Sequence, residues 1–120
     1  MPRGRHGYFH VVNNEYIRWA EYTMGGSASP TINSQGNRFV APDAERLKKV
    51  TKRDVSDNVD TSGWNWRTKG DVMENGAYFN ASGKQGESTY SKASSVIVMP
   101  FSTSLTQNAG TPHCNQRNCN

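Results

Sequence analysis

The sequence predicts an all-β protein built from short strands, and three observations predict it. Apolar runs are brief, two to five residues each. Each run stops at Asn or Gly, which tolerate the left-handed backbone that tight corners need. Leu, Ile, Val and Phe together make only 18 of the 120 residues, which leaves a thin core. Stacked short strands joined by such corners are the signature of a β-solenoid. A small antiparallel sandwich with long loops fits the same pattern. Phe9, Phe39 and Phe79 are unevenly spaced along the chain, so no strict repeat separates the two.

The first strand is Tyr8-Phe9-His10-Val11-Val12, closed by Asn13-Asn14. In "TINSQGNRFVAP", Ile32 and then Phe39-Val40 flank a polar turn of Asn33, Ser34, Gly36 and Asn37. After Pro42, Asp43 is placed to cap a short helix on which Leu47 and Val50 share one side. Val50-Thr51 reads equally well as a strand. "DVSDNVDTSG" is polar and reads as an exposed loop. Trp64 and Trp66 share a face if the chain there is extended. Tyr78-Phe79, between Asn75-Gly76 and Asn80, reads as the third strand. The Ser/Gly/Lys-rich stretch 82–95 reads as a loop, and Val96 to Phe101 as an apolar strap packed on the body.

Net charge is +4, the isoelectric point about 9.3 and mean hydropathy −0.84. A basic balance favours anionic partners: nucleic acid, acidic polysaccharide or an acidic surface. No apolar run reaches the roughly 18 residues of a membrane span, and the N-terminus has no signal-peptide core. A membrane role is not expected. The two cysteines, Cys114 and Cys119, are not spaced as a zinc knuckle. They read as a local disulfide or as two free terminal thiols. Asn80-Ala81-Ser82 is a sequon that permits glycosylation on a secreted chain.

Arginines are the leading chemical candidates. Arg3 and Arg5 are two apart, so both face one side of an extended segment. Guanidinium groups grip carboxylates through paired hydrogen bonds. His6 and His10 are four apart, a spacing for a helix rather than a strand, and no Glu lies between them as in a zinc protease helix. No nucleophile motif is present, and Asp57 with Asp60 falls far short of the six to eight oxygens that calcium takes. "NWRTKGD" interleaves aromatic and basic residues as a base-stacking surface does, without an RNP-like pattern, so nucleic acid is not the expected partner.

The blocks "MPRGRHGYFHVVNN", "GGSASPTINSQGNRFVAPD", "VTKR", "WNWRTKGDVMENGAYF" and "LTQNAG" occur in that order. Together they resemble the C-terminal part of plant pectate lyases of polysaccharide lyase family 1, a group that includes related pollen allergens. The resemblance runs from Met1 to about Gly110 and is weakest in the loop Asp54–Ser62 and in the last ten residues.

The resemblance implies a right-handed parallel β-helix, of which residues 1–81 supply the last coils and residues 82–120 an irregular tail packed on the helix side. It implies a secreted, monomeric cell-wall enzyme acting on polygalacturonate (pectin). It implies calcium as cofactor, with β-elimination in which an arginine takes the C5 proton. In the family motif R-x-P-x-x-R, Arg5 falls on the second arginine, a substrate-binding position; Arg3 is a weaker candidate for the same role. The first arginine is expected one residue before Met1, and the calcium ligands farther upstream. The chain is therefore expected to be a piece of a longer lyase, inactive by itself. An allergen-like protein that binds pectin without cleaving it is the alternative. Plant members commonly have Cys where Gly4 stands, and a glycine there loosens the strand that aims Arg5.

Overall fold

The computed structural model describes residues 1–56, 58–85 and 100–109. Among these residues nine short strands form three parallel sheets. The first coil contributes β1 (Arg3–Arg5), β2 (Tyr8–Val12) and β3 (Glu15–Ile17). The second contributes β4 (Met24–Ser27), β5 (Thr31–Gln35) and β6 (Arg38–Val40). The third contributes β7 (Thr51–Arg53), β8 (Trp66–Lys69) and β9 (Val72–Glu74). The sheets run β1-β4-β7, β2-β5-β8 and β3-β6-β9, each strand paired parallel to its equivalent in the next coil. The chain thus winds as a parallel β-helix, and the antiparallel sandwich is excluded.

Alternation along each strand decides what lies inside. Phe9, Ile32 and Trp66 are stacked in register in the second sheet, and Tyr16, Phe39 and Met73 in the third. The Tyr16 and Phe39 rings lie 5.2 Å apart and nearly parallel. Trp66 is wholly buried and donates its indole N–H to the Pro30 carbonyl at 3.0 Å. Trp64 is also buried, its ring 6.0 Å from that of Trp66, although β8 begins only at Trp66. Each coil alone buries little, so stacking is what closes the core.

Three local expectations are corrected. Asn33 and Ser34 are strand residues of β5 rather than turn residues; the turn is Gly36-Asn37. Ser34 can face inward because its hydroxyl donates to Asp71 at 2.6 Å. Tyr78-Phe79 is no strand: Tyr78 makes an isolated parallel bridge to Lys49. The segment at Glu45–Leu47 is a single 3-10 turn whose N-cap, Ala44, has no side-chain cap bond. Asp43 instead accepts from Asn75 Nδ2 at 3.0 Å.

The corner between the second and third sheets carries a polar ladder. Asn13, Gly36 and Gly70 sit at positive φ, and Asn14, Asn37 and Asp71 follow them. The Asn14 backbone N–H donates to Asn37 Oδ1 at 2.9 Å, and that of Asn37 to Asp71 Oδ1 at 2.7 Å. Asn37 is wholly buried and donates its side-chain amide to the Val11 carbonyl at 2.8 Å. Without these bonds the corner would bury orphaned backbone groups.

On the outside of the third sheet Arg38 bonds Glu15 of β3 and, through two nitrogens, Glu74 of β9. Phe101 places its ring 5.8 Å from the Arg38 guanidinium carbon, and Thr106 donates to Glu15 Oε2 at 2.6 Å. The Thr106 hydrogen bond, aided by Arg38, holds the Glu15 carboxyl below its ordinary value despite some desolvation. A carboxylate with a lower pKa folded than unfolded stabilises above the unfolded value, and the gain is lost as pH falls through the folded one. Amide exchange at Thr106 and Ala109 is therefore expected to accelerate below about pH 4, relative to Phe39. Unchanged relative exchange would contradict this latch. Most of the Val96 to Phe101 strap, and Cys114 with Cys119, lie outside the described residues.

Candidate functional site

The first sheet presents a basic outer face. In β1 Gly4 faces inward, so Arg3 and Arg5 point outward together, as alternation requires. The inward site is tight: a Cβ on Gly4 would lie 2.7 Å from the Phe9 ring. A cysteine there would need Phe9 to move, so glycine fits this chain's own packing.

Register sets what stands below each arginine. Arg3, Gly25 and Lys52 form one outward row, and Arg5 and Ser27 begin a second. The outward positions of the middle strand are Gly25 and Ser27, so no long side chain of that strand stands between β1 and β7. Arg3 reaches across it to Asp54, the residue after β7, and bonds its carboxylate. Hydrogen bonds to Asp54 and then Tyr22 raise the pKa of Arg3. The Tyr22 ring covers Gly25, where a Cβ would meet it at 2.4 Å. Lys52 Nζ sits 5.4 Å above that ring and 3.8 Å from Glu21 Oε2, a separation too long for a hydrogen bond. Arg5 is exposed and, among the described residues, has no ion-pair partner. The structure therefore separates the two arginines that sequence placed side by side: Arg5 is free and Arg3 is engaged.

Other candidates fall elsewhere. His10 lies on the outside of the second sheet, its Nε2 2.5 Å from Gln35 Oε1. Among the described residues no three His, Cys, Asp or Glu are grouped as a metal site would be. The carboxylate nearest β1 is bonded to Arg3, so the residues of this face do not fit a calcium ion. Asn80 is exposed, while the Ser82 hydroxyl of its sequon donates to the Trp64 carbonyl at 2.5 Å. Arg53 shares the inward side of β7 with Thr51. Its guanidinium lies 4.3 Å over Trp66 and donates to the Asn80 carbonyl and Ser82 Oγ, both at 2.7 Å. Burial lowers its pKa. Among the described residues no helix is long and apolar enough to cross a membrane.

Lys52, Tyr22 and Asp54 were not recognised from sequence. "VTKR" marked the right segment, but which residue faces Arg3 depends on a register that the sequence does not display.

Three parallel sheets around a side-chain-filled interior, with cations on one outer face, define a parallel β-helix with a basic side. Comparison with known proteins places the chain beside the plant pectate lyases. It is 53% identical over 118 residues to "Probable pectate lyase 18" of Solanum lycopersicum, covering 95% of this chain and 29% of that protein. It is 52% identical over 116 residues to "Pectate lyase" of Zinnia elegans, covering 95% of this chain and again 29% of the relative. The crystal structure of jun a 1, the major allergen from cedar pollen, superposes with a TM-score of 0.79 at 39% identity, over 93% of this chain and 34% of that one. The chain thus resembles plant pectate lyases along almost its whole length while spanning under a third of the length of these curated relatives. No family model matches it.

Proposed function

We propose that the chain is the substrate-gripping part of a pectate lyase, a protein that cleaves de-esterified polygalacturonate by β-elimination outside the cell. The observation that carries this reading is the likeness to the lyases over 95% of the chain, joined to an Arg5 on the outer face of the first sheet that has no ion-pair partner among the described residues. A free guanidinium there can hold a uronate carboxylate through two parallel hydrogen bonds. Arg3 is not suited to remove a proton, because its bonds to Asp54 and Tyr22 hold it in the protonated form, which has no lone pair to offer. The role of these residues is grip and alignment. Calcium chemistry belongs, in this reading, to residues other than those of this face.

The purified 120-residue chain is expected to bind polygalacturonate but to release no unsaturated uronate, followed by ultraviolet absorbance with calcium present. Arg5→Ala should weaken binding about tenfold, the scale of a charge-assisted hydrogen-bonded pair. Product release by the chain alone would overturn the assignment of roles. Unaltered binding by Arg5→Ala would remove Arg5 from the site.

A second reading is favoured by the allergen neighbour: a β-helix that binds pectin without cleaving it. Lyase assays on a full-length protein containing this segment separate the two.

A further inference from the structure

The outer face of the first sheet contains its own carboxylate, and that carboxylate lies where a ligand's would. Neighbouring strands are about 4.8 Å apart, so β1 and β7 are separated by roughly 9.6 Å. Arg3 and Asp54 bridge that gap diagonally, over the level of Gly25 and Ser27. The middle strand places only Gly25 and Ser27 under the bridge, and the Tyr22 ring, which also bonds Arg3, lies over Gly25. The Asp54 backbone N–H donates to the Gly26 carbonyl at 2.8 Å, which fixes the start of the loop at this spot. Both side chains are about half exposed, at 51%, so solvent and a ligand can reach them.

The charges facing this surface are Arg3, Arg5 and Lys52 against Asp54 and Glu21. Lys52 is only loosely approached by Glu21, and Arg5 is free among the described residues. Among the described residues, Arg3 alone of the three is hydrogen-bonded to a carboxylate.

We propose that Asp54 is a built-in competitor for the acidic ligand, occupying the Arg3 guanidinium until an incoming uronate carboxylate exchanges with it. This rests on the reading of the face as a polyuronate-binding surface. The exchange sets affinity and selects for ligands dense in carboxylates. A neutral or methyl-esterified sugar has no anion to trade for Asp54, whereas a fully acidic segment can take both Arg5 and Arg3. Asp54 is thereby a specificity-determining residue that need never touch the reacting atoms.

The test is a double-mutant cycle on the full chain, with binding of a galacturonate trimer measured by calorimetry at low ionic strength. Asp54→Asn should tighten binding about fivefold, the upper range for an exposed ion pair. The gain should fall below about twofold when Asp54→Asn is made in an Arg3→Ala chain, because there is then no guanidinium to unmask. Glu21→Gln removes a carboxylate from the same face, releasing only its long contact to Lys52 and leaving Arg3 engaged, and so measures the loss of charge without the unmasking of Arg3. A gain for Asp54→Asn that exceeds that of Glu21→Gln and depends on Arg3 upholds the proposal. An equal gain in both backgrounds, or none, overturns it while leaving the binding face intact. No binding by any variant, Asp54→Asn included, overturns the binding face itself. Far-ultraviolet circular dichroism of each variant should superpose on the parent's, since the altered side chains are exposed.

Discussion

Trp66→Ala should lose most of the stability of the coil stack. Truncating a buried aromatic to alanine costs about 3–5 kcal/mol, against a typical domain stability of about 5–15 kcal/mol. Trp66 is at the heavy end of that range for identifiable reasons. It is wholly buried, it lies in register with Ile32 one coil above, and its N–H satisfies the Pro30 carbonyl. It also forms the surface on which Arg53 stacks, and Arg53 in turn holds residues 80 and 82 beneath the third coil. Removing the ring therefore leaves a cavity, an orphaned carbonyl and a partly buried guanidinium with less to rest on. Urea denaturation followed by circular dichroism is the measurement. Trp66→Phe, which keeps bulk and loses the hydrogen bond, should fall between the two. A loss under about 1 kcal/mol for the alanine variant would mean that the core is not organised around this ring.

The second large effect is expected at Asn37. Its oxygen accepts the Asn14 backbone N–H, its amide donates to the Val11 carbonyl and to Ser34 Oγ, and its own N–H reaches Asp71. Alanine would strand the Asn14 N–H and the Val11 carbonyl at a part-buried corner. Each such group costs about 1–3 kcal/mol when buried, and because Asn14 is exposed the lower part of the sum, roughly 2–4 kcal/mol, is expected from the same urea experiment. Asn37→Asp should be worse still at neutral pH. It would set a second carboxylate where Asn37 Nδ2 now lies 3.2 Å from Asp71 Oδ1, and like charges that close repel. An aspartate variant as stable as the parent would show that the ladder's donors are dispensable.

How much of this was legible in the sequence depends on the range of the information. The Tyr8–Val12 strand and the shared outward face of Arg3 and Arg5 follow from alternation over a few residues. The thin core was legible as well, since stacked coils do not need one broad apolar face. Register was not legible, because the coils differ in length. Gly25 lies opposite Arg3 and Lys52 opposite Gly25, yet the second of these steps along the chain is longer than the first. The mismatch is greater in the next sheet, where the step from Ile32 to Trp66 well exceeds that from Phe9 to Ile32. The excess there sits mainly in the segment between β7 and β8, where length changes nothing in the stack. Polarity misled at Asn33 and Ser34, which look like turn residues and are held in a strand by the parallel ladder on both sides. Aromaticity misled at Tyr78-Phe79, where Phe79 packs against the core and Tyr78 is exposed and makes only an isolated bridge. The basic face was half visible: its cations announce themselves, but Asp54 opposes Arg3 only after three coils have been laid one on another.

The ladder at the corner has a direction: each rung is a backbone N–H giving its hydrogen to the side-chain oxygen one coil further on. Asp71 receives from Asn37, Ser34 and Thr68 at once, and a carboxylate can do so because it has only acceptors. An amide in its place would put a donor where Ser34 and Thr68 now share an oxygen, so the acid acts as a sink that gathers three neighbours into one fixed bend.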